Sequence, residues 1–202
     1  MHHELGLNMH QLHLIQPGWA IDVSIVIWCV FAIYWEQAAK TASKAITQES
    51  RGSRRIHLIV VTAAQFLLFF RVPGLNGNWL PRSPIPVASG LALEIAGFLM
   101  AIWARRCLGK HWSGEITVKL DHELVRTGPY KFVRHPIYSA LLMMYLGVAI
   151  VSGELHALVG FLLVVVDYLR KIGLEEANLK RVFGDKYEEY HGQTRALVPG
   201  VF

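Results

Sequence analysis

Gly128-Pro129-Tyr130-Lys131-Phe132-Val133-Arg134-His135-Pro136-Ile137-Tyr138 joins a basic loop to an apolar helical hairpin. Thr127-Gly128-Pro129 reads as a turn. Pro136 fits the first turn of a helix, where its missing N–H costs nothing. A second polar cluster, Glu175-Glu176-Ala177-Asn178-Leu179, follows the hairpin. Polar groups placed where two apolar helices end describe a site with one side open to water and the other to lipid.

Around this core the chain is unusually apolar. It has 202 residues, of which 53% are hydrophobic and 17% charged. Mean hydropathy is +0.34. The length suits one domain. A helix needs about 20 mostly apolar residues to cross a bilayer, and five stretches approach that: about Trp19–Trp35, Ile56–Val72, Val87–Cys107, Pro136–Ser152 and Leu155–Leu169. Backbone polar groups in lipid must be satisfied within the segment, so these are read as helices. The last two, joined at Gly153-Glu154, are short for full spans, and a hairpin that stops short of the far side remains an alternative. The fold class expected is all-α: an integral membrane bundle of about five transmembrane helices with a cytoplasmic C-terminal helical region. Residues 19–107 would supply three N-terminal helices, and residues 108–202 the loop, the hairpin and the cytoplasmic helices.

Net charge is +5, but its distribution argues for a membrane and against nucleic acid. Lys and Arg number 0, 5, 2, 7, 0 and 6 in the successive segments before, between and after the five stretches, with Arg71, Arg105 and Arg106 at the stretch ends counted with the loops they adjoin, which accounts for all 20. That alternation is the positive-inside pattern. It predicts an external N-terminus and a cytoplasmic C-terminus, with both polar clusters on the cytoplasmic side. No cleavable signal peptide is evident, and the first span can direct insertion. Cys29 and Cys107 read as small core residues rather than a disulfide or metal framework.

Residues 36–55 read as an exposed polar linker with Arg51-Gly52-Ser53 as its break. The four prolines among residues 73–86 mark an irregular outer loop, with Trp79 and Trp19 suited to the outer interface. Ile116-Thr117-Val118 reads as a short extended piece. Beyond Leu169 the pattern turns amphipathic and breaks at Gly184, as in one or two helices lying against the bundle end.

His135 sits at a helix entrance, beside free backbone donors and the positive end of the dipole. Such a place suits an anion such as a ligand carboxylate, and Arg134 adds a charge-assisted contact. Lipid phosphates would be served equally well. Glu175 and Glu176 could hold a cationic ammonium, or Glu175 could form a surface pair with Lys171 four residues earlier. An anion site beside a cation site is what an amino-acid-like ligand requires. Within the spans, Asp22, Glu94 and Asp167 are functional candidates by default, Glu94 being the most costly to bury. His111 and His122 lie in the loop before the hairpin. No Ser-His-Asp or Cys-His nucleophile, phosphate loop or zinc pattern is present.

The ordered set from Leu108 to Phe202 resembles the isoprenylcysteine carboxyl methyltransferase family, which is related to membrane phospholipid methyltransferases. The resemblance runs through Gly109-Lys110-His111-Trp112-Ser113, His122-Glu123-Leu124-Val125, Gly128-Pro129-Tyr130 and Arg134-His135-Pro136-Ile137-Tyr138. It continues in Glu175-Glu176-Ala177-Asn178-Leu179, Phe183-Gly184-Asp185-Lys186-Tyr187-Glu188-Glu189-Tyr190 and Val198-Pro199-Gly200. It implies a membrane-bound, S-adenosylmethionine-dependent methyltransferase with a lipophilic or small apolar acceptor, an isoprenylcysteine-type carboxylate foremost. Carried over residue by residue, it puts His122, Glu123, Leu124, Val125, Tyr130, His135, Pro136, Ile137, Tyr138 and Glu175 on the cofactor. Arg134 and Glu175 become the catalytic candidates, and Arg170, Lys171 and Glu94 the acceptor side. No metal is implied.

Two positions depart from the family. The family usually carries arginine where this chain has Lys171, and lysine cannot make the planar bidentate contact to a carboxylate. The family favours glycine where this chain has Ala140, which is still small enough for close helix packing. Two other reaction classes stay open. Sterol-type membrane reductases, which use NADPH, share a related C-terminal architecture, but they would be longer and more basic. Phospholipid amine or thiol methyl transfer is the other.

Overall fold

Ser50 begins the helix that the polar linker was expected to lack. Its hydroxyl accepts from the Ser53 N–H at 3.2 Å, an N-cap that lets α2 run Arg51–Phe69. Arg51-Gly52-Ser53 is therefore a helix start and not a break. The computed structural model describes residues 18–40, 46–47, 49–109, 112, 117–118 and 124–200. The other helices are α1 (Gly18–Ala39), α3 (Pro84–Leu108), α4 (Pro136–Ser152), α5 (Leu155–Phe183) and α6 (Asp185–Gln193). A 3-10 turn covers Gly128–Lys131. A two-residue antiparallel pair joins β1 (Ile46–Thr47) to β2 (Thr117–Val118), where an extended piece was expected.

Prolines set two of the starts. Pro84 opens α3 and Pro136 opens α4, each in the first turn where no N–H is needed. Gly153 closes α4 in the left-handed region at φ +64°, so the chain turns straight into α5. The second arm of the hairpin is longer than its apolar stretch. α5 continues without a break for 29 residues, about 44 Å at 1.5 Å per residue, and carries the second polar cluster on its last turns.

α1 and α3 are long and apolar enough to cross a membrane, and α4 is a shorter apolar helix. The outward faces are apolar as well: Val26 is 60% exposed and Val166 68%. Lipid-facing surface accounts for that pattern, since water would leave so many large apolar side chains unfavourably hydrated.

The helices pack as two antiparallel pairs. In the first, α3 lies on α4 through small residues. A methyl on Gly147 would meet the Gly90 carbonyl oxygen at 2.7 Å, and one on Gly97 the Ala140 carbonyl at 2.6 Å. Backbone approaches this close are the usual way helices associate in lipid. Gly147→Ala is therefore expected to lower stability by about 1–3 kcal/mol. Gly192→Ala, which meets nothing within 4 Å, should leave the melting temperature unchanged or slightly higher. Melting of both variants in detergent checks the contrast.

In the second pair, α2 lies on α5, with Ala64, Leu68, Ala157 and Val164 in a core that Tyr145 and Val148 of α4 complete. At the α4–α5 turn, buried Glu154 accepts from Arg71 Nε at 3.1 Å and Arg82 at 3.3 Å and lies 3.0 Å from His156 Nε2. This clamp fastens residues 70–83 to the hairpin. The polar clusters sit at the other end of the bundle.

Candidate active site at the polar end of the bundle

The turn before α4 and the last turns of α5 meet across a gap closed by the C-terminal segment. Gly128 adopts φ +62° and packs on Cys107, which favours glycine there. Tyr130 follows, buried, with its carbonyl accepting from the Tyr190 hydroxyl at 2.6 Å. Residues 133–135 then run beside 195–196. The N–H groups of Arg134 and His135 donate to the carbonyls of Arg195 and Ala196 at 2.8 and 3.0 Å. Ser139 Oγ donates to the Leu197 carbonyl at 2.6 Å. Ala196 and Leu197 bury themselves against Ile172 and Tyr138. The strap thus takes the two backbone N–H groups that lead into α4.

Glu176 is the hub of the cluster. Arg134 Nε donates to its Oε1 at 2.8 Å, and His135 Nε2 lies 3.1 Å from the same oxygen. His191 approaches the other oxygen at 3.7 Å. Burial alone would raise the Glu176 carboxyl, but the bonds from His135 and Arg134, with their charges, outweigh it and hold the group at about 2. The Arg134 guanidinium also donates to the carbonyls of His191 and Thr194. It is engaged within the protein, bracing the strap against α5.

Glu175 is placed differently. Its side chain is 35% exposed and stands 3.8 Å from His135 Nδ1, beyond hydrogen-bond reach. The Tyr138 ring lies 5.7 Å from that of His135, centroid to centroid. Burial first, and the Glu175 charge second, push the Tyr130 hydroxyl well above its usual range. Glu175 therefore stands beside the buried His135 with no ion pair within hydrogen-bond distance, whereas Glu176 has one oxygen held by two cationic side chains.

The structure brings Tyr130, Arg134, His135, Pro136, Tyr138 and Glu175 together here. Ile137 is half-buried on the first turn of α4. Leu124 and Val125 are half-buried in the chain leading to the turn, while His122 and Glu123 lie outside the described residues. Arg170 and Lys171 follow one turn earlier on α5. Arg170 donates to Asp167 at 2.8 Å and to Ser53 Oγ at 2.7 Å. Lys171 donates to Glu49 at 2.8 Å. Glu94 is elsewhere. It is fully buried in mid-bundle, where it accepts from Ser24 Oγ at 2.7 Å and packs on Gly147. Gly147 is twelve residues along α4 from His135, roughly 18 Å away.

Sequence reading did not single out Glu49, Ser53, His57, Thr194 or Ala196 as members of this end. The four-residue spacing of Glu49, Ser53 and His57 is the one signal that could have shown a polar stripe on a helix. Among the described residues, no group of three His, Cys, Asp or Glu side chains is gathered as a metal site requires.

The model of the phospholipid methyltransferase family matches residues 85–186, which takes in all but the first residue of α3, the turn, α4 and the whole of α5 with its polar cluster. Protein-S-isoprenylcysteine O-methyltransferase B of Arabidopsis thaliana is 26% identical over 175 residues, covering 85% of each chain. A probable protein-S-isoprenylcysteine O-methyltransferase of Oryza sativa subsp. indica is 30% identical over 113 residues, 54% of this chain and 59% of that one. The solved structure of the eukaryotic intramembrane Ras methyltransferase, isoprenylcysteine carboxyl methyltransferase, superposes with a TM-score of 0.53 at 21% identity, over 77% of this chain and 55% of that one. The last is a likeness of fold. On the family match, the relatives and the shared fold, the chain belongs to the isoprenylcysteine carboxyl methyltransferase family, within the wider phospholipid methyltransferases, and is an integral membrane methyltransferase.

Proposed function

We propose that the chain transfers a methyl group from S-adenosylmethionine to a lipophilic or small apolar acceptor that enters from the bilayer. The observation that carries this reading is the contrast between the two adjacent carboxylates. Glu176 is ion-paired, with one oxygen held by both Arg134 and His135. Glu175 remains a third exposed, beside buried Tyr130 and half-buried Tyr138. An ionised carboxylate bordered by aromatic rings suits a cationic amino-acid end joined to a flat heterocycle, which is the chemistry of this donor.

In this reading Glu175 holds the donor's ammonium, with Tyr130, His135, Pro136, Ile137 and Tyr138 walling the pocket. His122 through Val125 approach from the preceding loop. Arg134 serves by position, because it locks the strap and Glu176 together. The cofactor supplies a methyl group already activated on a sulfonium. What remains for the protein is to align donor and acceptor and to keep water out. Arg170 and Lys171 stand on the acceptor side, and Glu94 lines the bundle through which a lipophilic acceptor would pass. The Lys and Arg alternation supports an external N-terminus and a cytoplasmic site. Prenylated cysteine ends, as in the relatives' names, are one acceptor class that fits a membrane entrance.

Melting in detergent tests the class of ligand. S-adenosylhomocysteine at a hundred times its Kd is expected to add about 2.7 kcal/mol of stability, and NADPH none. Stabilisation by NADPH alone would move the chain to the reductase class.

A further inference from the structure

At the end of the bundle opposite the proposed site, two guanidiniums converge on one carboxylate. Arg71 follows the last turn of α2, Arg82 precedes α3, and Glu154 caps α5 at the hairpin turn. Arg71 donates to Glu154 as a fork, through Nε at 3.1 Å and Nη2 at 2.5 Å. Arg82 Nη2 donates to the same Oε1 at 3.3 Å and to Asn78 Oδ1 at 3.3 Å. His156 turns Nε2 toward the other oxygen at 3.0 Å. Both oxygens of Glu154 are thus occupied. Its side chain is 6% exposed, whereas that of Arg71 is 55% and that of Arg82 36%. The anion lies beneath and the cations face outward. Among the described residues, no second carboxylate pairs with either arginine, and Nη1 of Arg71 and both Nε and Nη1 of Arg82 make no bond to the protein. Two positive charges therefore rest on one negative charge, with N–H donors open to the outside.

The neighbours in the chain fix the level of this pair. Phe70, beside Arg71, and Ile85, three residues after Arg82, are largely exposed. On a bundle that spans a membrane such side chains face acyl chains, so the arginines stand where lipid chains give way to headgroups. The loop that carries them is held in place. Trp79 N–H donates to the Gly153 carbonyl at 3.0 Å, and Leu155 N–H to the Gly77 carbonyl at 2.8 Å. The guanidiniums are therefore ordered before any ligand arrives, which lowers the entropic cost of binding. We infer that Arg71 and Arg82, buttressed by Glu154, form a binding site for the phosphate group of an anionic phospholipid. A phosphate accepts paired N–H bonds from guanidinium groups, and its charge balances the excess that Glu154 leaves. The apolar flank beside the pair selects a phosphate that carries acyl chains over a free ion. The site is separate from the proposed cofactor pocket and does not depend on it.

The test is equilibrium binding of an acyl-labelled fluorescent phosphatidylglycerol to the full-length, detergent-purified protein, with unlabelled competitors. In the wild type, dioleoylphosphatidylglycerol is expected to displace the probe saturably, while dioleoylglycerol, which has the chains without the phosphate, and inorganic phosphate at millimolar concentration do not. Displacement by dioleoylglycerol as strong as by the phospholipid reduces the contact to its chains, and displacement by inorganic phosphate assigns the arginines to a free ion; either result overturns the inference. Arg71→Gln/Arg82→Gln should bind the probe about tenfold more weakly, the size expected for lost charge-assisted bonds. Lys131→Gln/Lys186→Gln makes the same change of charge at exposed positions elsewhere and should stay within about twofold of the wild type. Equal affinity in a folded Arg71→Gln/Arg82→Gln protein, or an equal loss in the two double variants, overturns the site. Melting in detergent reports whether each variant is folded. Should the arginine double variant not fold, Arg82→Gln is used alone, because both Arg82 contacts are long. It is expected to lose about threefold, with Arg82→Lys restoring most of that loss as a charge at the same position would. No loss in Arg82→Gln also overturns the site.

Discussion

Glu176→Gln is expected to lower stability by about 3 kcal/mol, toward the low end of what breaking a buried ion pair costs. For a chain of this size that is roughly 6–12 °C in melting temperature. The size follows from what the carboxylate holds together. Arg134 and His135 both bond Oε1, and Arg134 also carries the strap through the carbonyls of His191 and Thr194. Glutamine keeps the shape and loses the charge. It leaves a guanidinium whose side chain is 8% exposed without its counter-ion. The pH dependence has a definite sign. The Glu176 carboxyl is lowered from 4.5 to about 2 in the folded protein. Its contribution is therefore complete above the unfolded value and disappears as pH falls from about 4.5 toward 2. Melting in detergent between pH 7 and pH 3 should show the wild type losing about half or more of this increment, the rest going as pH nears 2, and Glu176→Gln losing none of it. Equal melting temperatures for the two proteins at pH 7 would remove Glu176 from the centre of the network.

Glu175→Gln is expected to do the opposite: little to stability, much to binding. Glu175 is a third exposed and has no ion pair within hydrogen-bond distance, so its removal leaves no buried charge unmatched. A charge-assisted bond to a cationic ligand is worth about 1.5–3 kcal/mol, which corresponds to roughly a 10- to 150-fold loss in affinity for S-adenosylhomocysteine. His135→Ala should lose affinity and stability together, because His135 touches both carboxylates. A Glu175→Gln protein that melts normally and binds normally would separate this carboxylate from the cofactor.

The division of labour between these two neighbours was not legible in the sequence, where both read as one acidic pair below a membrane exit. Their partners are far along the chain. Arg134 lies 42 residues from Glu176, and Lys171 lies 122 from Glu49. No local period reports such a pairing. What local physics does report was readable. The apolar stretches of α1, α3 and α4, the Pro136 helix start and the breaks at Gly153 and Gly184 each follow from length, ring geometry or backbone freedom. α2 was misread at its start because Ser50 and the polar residues after it look like a solvated linker. In the folded chain that polar stripe faces α5, and its charges are matched there rather than by water. The strap over the α4 entrance was hidden for a similar reason: it is backbone pairing by residues 195–196, which side-chain identity does not announce.

The most direct measurement is a calorimetric titration of S-adenosylhomocysteine into the detergent-purified protein, with Glu175→Gln and NADPH as the two comparisons. The account predicts saturable binding to the wild type, a binding constant at least tenfold weaker in Glu175→Gln, and no heat of binding with NADPH. Saturable NADPH binding without S-adenosylhomocysteine binding, or binding of neither, would contradict it.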